Sequence, residues 1–291
     1  MKTSVIITTK NRPQLFREAL RSVYNQTVKP DEIIVIDDAS SLDYDVFFDT
    51  QKIPIIHHKL DTSLGVANAR NVGVSLASCD VIFFLDDDDI WNNNHIDSHL
   101  RCHYNPDIVM CFSKKELFFC SENNIIRTTK NIEPIESNIL SENYIGTPSG
   151  VSIKRKYLGG DCIFDVNLPA LEDYDLWLQL ILKVGNEKIH FVDIPTVKYR
   201  ISSPKKTNVS HNLRNHEIAR IRIIKKNQGK LTCQELKIID KYLRFCLLKT
   251  AHRNSYYRMI RLLFKYPVFT MKTIVLLIPY SLLNLFGVYS S

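Results

Sequence analysis

The stretch that most limits what this chain can fold into is VIFFLDDDDIW, Val81 to Trp91. A β-branched and aromatic run (Val81, Ile82, Phe83, Phe84, Leu85) stops on four consecutive carboxylates, Asp86, Asp87, Asp88 and Asp89. The run is short and does not alternate, the pattern of a strand buried on both faces of a parallel sheet covered by helices. Four adjacent anions cannot enter a core unpaired, because desolvating a lone carboxylate is strongly unfavourable. They belong at the carboxyl end of the strand, where open α/β sheets bind ligands. Their mutual repulsion calls for a cation, and a hard divalent ion with oxygen ligands, Mn²⁺ or Mg²⁺, suits them. A solvated acidic loop is the plainer alternative; direct abutment on a buried strand favours the metal.

The same logic organises the first two-thirds of the chain. SVIITT (Ser4 to Thr9) reads as another buried strand, followed by TKNRP and a helix to about Gln26 with Leu15, Phe16, Ala19, Leu20 and Val23 inward. Ile33 to Ile36 forms a second strand that also ends in carboxylates, Asp37 and Asp38. Ile53 to His57 reads as a third. Gly65 to Ala77 predicts a helix with Val66, Ala69, Val72 and Leu76 inward. The β-α-β-β-α-β order implies a mostly parallel, doubly wound sheet with right-handed crossovers. Beyond it, Trp91 to Tyr104 predicts a helix, and Ile108 to Phe112 and Glu116 to Cys120 read as strands. Gly146 to Lys154 reads as a loop entering a strand, Leu171 to Val184 as a helix opening on Glu172-Asp173, and His190 to Tyr199 as a strand.

Charge separates the rear of the chain from the front. Residues 205 to 272 hold 17 Lys/Arg against 3 Asp/Glu, while the whole 291-residue chain carries only +7. Two different partners are implied. This tail reads as mostly helical, with a capping box, Thr232 to Glu235, ahead of Leu236, Ile239, Leu243 and Leu247. Thr273 to Tyr289 is almost wholly apolar, though broken by Pro279 and Asn284 and short for a membrane span. Basic helices leading into an aromatic, apolar end read as monotopic attachment to an anionic membrane surface; a helix packed on the rest of the protein is the alternative. The apolar stripes fit such a surface rather than a nucleic acid. Seven scattered Cys, with no CxxC, read as reduced thiols of a cytosolic protein, and the chain enters a strand directly after Met1-Lys2, without a signal peptide.

Taken in order, SVIITTKNRPQLFREALRSVYNQT, EIIVIDDAS, GVANARNVGVSLASCDVIFFLDDDD and ALEDYDLWLQL resemble the family-two inverting glycosyltransferases, which have the GT-A nucleotide-diphospho-sugar transferase fold. The resemblance covers about Lys2 to Arg200. It implies a catalytic domain over residues 1–204 and a basic, membrane-associating helical region over 205–291. It also implies roles. Thr8 and Arg12 match the first-strand contacts to the nucleotide; Asp38, beside Asp37, matches the carboxylate that reads a uracil-type base. Arg70 matches a position near base and diphosphate, with a salt bridge to Asp37 or Asp38 as the alternative. Asp86 and Asp88 match the DxD element, Asp86 towards ribose or metal and Asp88 as direct metal ligand. Asp87 and Asp89 complete a DxDD pattern, as support or as a solvated turn. Asp173 matches the general base and Glu172 its support, although both would also suit a helix dipole as capping residues. Trp177 reads as core.

One departure stands out. Many relatives carry Tyr-Arg-x-His after the last strand, whereas this chain has Tyr199-Arg200-Ile201-Ser202. His211 in the Lys-rich loop is a candidate substitute, and Arg200, Lys205 and Lys206 are candidates to steady a diphosphate. The function so implied is a metal-dependent transfer of a hexose, glucose before galactose, from a UDP-sugar. The acceptor is a polyprenyl-diphosphate-linked saccharide such as GlcNAc-diphospho-undecaprenol, in O-antigen or capsule assembly at the cytoplasmic face of the bacterial inner membrane. An inactive nucleotide-sugar-binding scaffold at the membrane is the alternative from another class. A nucleotidyltransferase would want a Gly-bearing loop where TTKNRPQ stands, and a glycosidase would not need the DxD cluster.

Overall fold

The computed structural model describes residues 1–48, 53–119, 125–128, 138–201, 212–268 and 270–278. The chain divides into two compact units. The first comprises Met1–Ser137, Tyr144–Val166 and Leu176–Ser202, and the second Asn138–Asn143, Asn167–Asp175 and Ser203–Ser291.

The first unit is built on a mixed sheet. Its parallel half has β1 (Thr3–Thr9), β2 (Glu32–Asp37), β3 (Ile55–Lys59) and β4 (Val81–Asp86) in the order β3-β2-β1-β4. β1, β2 and the apolar part of β4 are buried throughout, as unalternating apolar runs require. β3 starts two residues later than its apolar run suggests, because Pro54 has no N–H to give a ladder. On the far side of β4 come β8 (Val151–Lys154), β6 (Met110–Phe119) and β9 (Ile189–Ile201), with β7 (Ile125–Thr128) paired to β6. The two strands expected at 108–112 and 116–120 are one strand, β6. Its register against β9 shifts on either side of Lys114, where the polar Ser113-Lys114-Lys115 step interrupts the apolar pattern.

Helix α1 (Pro13–Tyr24) begins with proline in its first turn and buries Phe16, Ala19, Leu20 and Val23 against Val5, Ile7, Ile33, Val35, Phe83 and Leu85. Helix α2 (Val66–Leu76) corrects its expected face. Val66 and Leu76 are exposed, and Ala67, Ala69, Arg70 and Gly73 are buried. The helix lies so close over β1 that a Cβ on Gly73 would fall 2.5 Å from Ile6 Cγ2, so small residues make the contact. The helix expected from Trp91 starts later, at α3 (His95–His103), because Ile90–Trp91 is a short strand, β5, pairing with Lys198 and Val197 of β9. Along α3, His95, His99 and His103 are fully buried, and burial depresses all three, His95 to about 3 and His103 to about 4. All six described cysteines are free.

Helix α4 (Glu172–Val184) begins in the second unit and continues into the first. The second unit is otherwise helical: α5 (Leu213–Asn227), α6 (Cys233–Asn254), α7 (Tyr256–Lys265) and α8 (Met271–Val275). The capping box of Thr232 and Glu235 forms at the start of α6. A small core of Leu248, Ala251, Met259, Val268 and Leu276 holds these helices together. Among the described residues, no helix is long and apolar enough to cross a membrane.

Candidate active site

The sheet reverses its winding between β1 and β4, with β2 and β3 on one side of β1 and β4 on the other. Ligands of open α/β sheets sit at the carboxyl ends of strands at such a reversal. Thr8 stands opposite Asp86 in the β1–β4 ladder and Thr9 opposite Asp37 in the β1–β2 ladder, which brings the two acidic turns to one edge.

The Asp86–Asp89 turn closes by the Asp89 amide donating to the Asp86 carbonyl. Three guanidiniums grip it. Arg70 Nη2 binds Asp86 Oδ1 at 2.5 Å, and Thr147 Oγ1 donates to Asp86 Oδ2 at 3.3 Å. Arg12 Nη1 reaches Asp87 at 3.1 Å and Asp88 at 3.2 Å, and Thr9 Oγ1 donates to Asp87 at 2.8 Å. The Arg200 amide donates to Asp89 Oδ1, and its Nε donates to the Asp88 carbonyl. The Arg200 guanidinium is pinned further by Glu18 at 2.6 Å and by the ring of Phe118 beneath it.

The compensation is incomplete. Burial first, then the Asp88 charge, raises Asp87 to about 6. Asp88 is raised by desolvation and by Asp86, and the fully buried Asp89 is raised by desolvation and by Asp88. Asp89 Oδ2 is buried with no hydrogen-bond partner. Such a turn is electrostatically receptive to a further cation. Among the described residues, no group of three or more His, Cys, Asp or Glu side chains is arranged to hold a metal ion. A site of two carboxylates completed by a substrate's phosphate oxygens is nonetheless how Mg²⁺ and Mn²⁺ are commonly held, and Asp86 with Asp88 fits that donor set.

The Asp37–Asp38 turn differs. Asp37 Oδ1 accepts the Ser40 amide, and its Oδ2 is buried without a hydrogen bond. Asp38 accepts Ser63 Oγ at 2.6 Å and the amides of Leu64 and Gly65, tying down the entrance to α2. Arg70 pairs with Asp86 and with neither Asp37 nor Asp38, because the tight crossing of α2 over β1 carries it to the end of β4.

In the second unit, Glu172 and Asp173 occupy the first turn of α4, with the Tyr174 amide donating to Asp173 Oδ1. Tyr174 donates to the Ile139 carbonyl and lies 5.0 Å from the Tyr242 ring, and the buried Asp175 pairs with Lys226 at 2.6 Å. Trp177 is buried core, its Nε1 donating to the Gly146 carbonyl. Three described non-glycine residues have left-handed backbone, Asn11 (φ 52°), Ala39 (φ 60°) and Leu171 (φ 62°). Each adjoins a candidate residue: Arg12, Asp38 and the Glu172–Asp173 pair. Such conformations cost about 1–3 kcal/mol apiece and cluster at functional sites.

Ser202, Lys205, Lys206 and His211 lie outside the described residues. Thr9, Tyr44 and Glu18 escaped the sequence reading. Tyr44 is fully buried, and its hydroxyl accepts the Arg12 amide and lies 3.2 Å from Thr9 Oγ1. Nothing in the sequence pairs Glu18 with an arginine 182 positions away.

Topology and site together define a GT-A-type nucleotide-sugar transferase fold. A model of the family described as "Glycosyl transferase family 2" matches residues 4–155, and the chain belongs to that family; it is a glycosyltransferase. It is 26% identical over 247 residues to the putative colanic acid biosynthesis glycosyl transferase WcaA of Escherichia coli, covering 77% of this chain and 85% of that one. It is 25% identical over 261 residues to an Escherichia coli protein named UDP-Glc:alpha-D-GlcNAc-diphosphoundecaprenol beta-1,3-glucosyltransferase WfaP, covering 87% of this chain and 98% of WfaP. Among solved structures, TarS 1-349 of S. aureus in complex with UDP-GlcNAc superposes with a TM-score of 0.62 at 17% identity, over 95% of this chain and 78% of that one. The mannosyltransferase PcManGT of Pyrobaculum calidifontis, in complex with GDP-Man and Mn²⁺, gives 0.61 at 16% identity, over 97% and 80%.

Proposed function

We propose that this enzyme transfers a hexose, glucose in β-linkage, from a UDP-sugar to a polyprenyl-diphosphate-linked saccharide such as GlcNAc-diphospho-undecaprenol. The place is surface polysaccharide (O-antigen) assembly at the cytoplasmic face of the bacterial inner membrane. The observation that carries the reading is the under-neutralised Asp86–Asp89 turn at the sheet reversal of a family-two chain. The alignment to nearly the whole of WfaP supports the donor and acceptor.

In this reading Thr8, Arg12, Asp37 and Asp38 bind the nucleotide, with Arg70 and Asp86 beside the ribose and diphosphate. Asp86 and Asp88 hold Mn²⁺ or Mg²⁺, which when bound supplies Lewis-acid stabilisation to the leaving diphosphate. Asp173, supported by Glu172, takes the proton of the acceptor hydroxyl as its oxygen attacks the anomeric carbon. The bond from that carbon to the diphosphate oxygen breaks, UDP departs, and the configuration inverts. Asp87 and Asp89 shape the turn. Arg200 is a positioning residue, since its hydrogen bonds to Asp88 and Asp89 join the turn to Glu18 on α1.

The test is transfer from a panel of radiolabelled UDP-sugars to a synthetic GlcNAc-diphospho-lipid, with Mn²⁺ and with EDTA. Product from UDP-glucose that disappears with EDTA is expected, and Asp173→Asn should lower it by about 10²–10⁴-fold. Product from a different donor would replace glucose. Full activity in Asp173→Asn would overturn the assigned base.

A further inference from the structure

We propose that the second unit carries a binding site for the phosphate headgroup of an anionic phospholipid, in the groove between α5, α6 and α7. The inference rests on the membrane-surface reading of the basic tail and gives it a defined location.

The groove encloses ≈ 440 Å³ and is lined by Leu213 and Glu217 of α5, Leu247 of α6, and Arg258, Arg261, Leu262 and Lys265 of α7. Three cations and one carboxylate therefore share a wall with three leucines. The carboxylate is already engaged, for Glu217 accepts the Tyr266 hydroxyl at 2.7 Å and has Lys265 at 3.5 Å. Arg220 and Arg244, in the same unit, are both paired with Asp240. Arg258 and Arg261 are exposed, and neither guanidinium has an ion-pair partner among the described residues. Two uncompensated guanidiniums beside apolar side chains suit a phosphate with acyl chains attached, because the fork of donors matches phosphate oxygens while the leucines meet hydrocarbon.

The outer face of α7 points to a bilayer as the source of that phosphate. Tyr257, Arg261 and Phe264 follow one another at i, i+4 and i+7, with Arg258 and Lys265 alongside, while Met259 is buried on the opposite side. Tyr257 is 73% and Phe264 85% exposed, positions where an aromatic ring in water gains nothing. The Tyr256 hydroxyl donates to the Leu277 carbonyl and His252 Nε2 bonds the Ile278 carbonyl. Those bonds bring the exposed Leu277 and Ile278 beside the first turn of α7, with exposed Ile274 preceding them. Cationic and aromatic side chains mingled on one helix face are the composition of an interfacial helix, and an anionic leaflet supplies the complementary charge.

Flotation of the full chain with vesicles tests this. The vesicles are phosphatidylcholine alone, or phosphatidylcholine with phosphatidylglycerol. The variants are R258E/R261E and, as a control of equal charge change, K237E/K241E on the exposed surface of α6. The unaltered chain should float with the anionic vesicles and stay down with neutral ones. R258E/R261E should lower partitioning about tenfold or more, and K237E/K241E by much less. R258Q/R261Q gives the same readout if the double reversal does not fold by circular dichroism. Equal loss in both charge-reversed pairs would overturn the headgroup site while leaving diffuse membrane attachment intact. Equal binding to neutral vesicles would do the same. Failure of the unaltered chain to float, including a chain that self-associates through Phe264 instead, would overturn the site and the membrane reading together.

Discussion

The two acidic turns at the sheet edge, Asp37–Asp38 and Asp86–Asp89, look alike in sequence and are held by different means. Asp38 is satisfied by neutral donors, two amides and a hydroxyl, all from the loop that enters α2. Asp86, Asp87 and Asp88 are met by Arg12, just before α1, and Arg70 of α2, and Asp89 by the amide of Arg200, yet Asp87, Asp88 and Asp89 still hold protons more tightly than ordinary carboxylates. A carboxylate filled by backbone amides organises a loop. A cluster of carboxylates left short of positive charge is prepared for a cation that arrives with its substrate. Motif reading cannot separate these roles, because Asp-Asp after a buried strand is the same string in both places.

Substitutions in either turn separate the two roles. The largest effect is expected at Asp88. Asp88→Ala should reduce transfer by about 10²–10³-fold, the scale of losing one transition-state charge stabiliser. Its Tm should stay close to that of the unaltered protein, since the side chain is 32% exposed and is held by a half-exposed Arg12. A large fall in Tm would show that the turn is structural instead. Next comes Asp38→Ala, which leaves the Leu64 and Gly65 amides without their acceptor. A stability loss of about 2 kcal/mol is expected, read by chemical denaturation. An unchanged midpoint would remove Asp38 from its organising place.

A further effect, of similar size, is one of pH. Asp87 in the folded protein titrates at about 6, above the ~3.9 of an unfolded chain. The folded state therefore keeps a proton that the unfolded state releases. The contribution is fully present below pH ~4 and is lost as pH rises through about 6. Asp87→Asn should abolish that decline, so the difference between the two stability curves, taken in EDTA, should grow by about 2 kcal/mol between pH 4 and 7. The buried histidines of α3 act in the opposite sense, favouring stability above pH ~6.5 and withdrawing it towards acid, and they cancel in the difference. A flat difference curve would mean that the turn is already neutralised.

Much of this was readable in the chain. Unalternating runs such as Ile33 to Ile36 and Val81 to Leu85 announce strands buried on both faces, and carboxylates cannot follow them inward, so strand ends and the ligand edge come together. The inward face of α2 was not readable, because hydrophobicity pointed to Val66 and Leu76, whereas close approach to Ile6 demanded Gly73 and the alanines. The start of α3 was displaced for a similar reason, since Trp91, the first residue of the expected helix, is drawn into pairing with Val197 of β9.

Local pattern alone determined where β1, β2 and β4 end, which carboxylates lie at the sheet edge and where the charge of the tail resides, because burial energetics act on each segment by itself. Tertiary structure alone decided which arginine meets which aspartate, why Glu18 serves Arg200, and that, among the described residues, Arg258 and Arg261 are left without a carboxylate when Asp240 takes Arg220 and Arg244. Ion pairing is a property of distance in space, and positions 182 residues apart in sequence carry no record of the 2.6 Å between them.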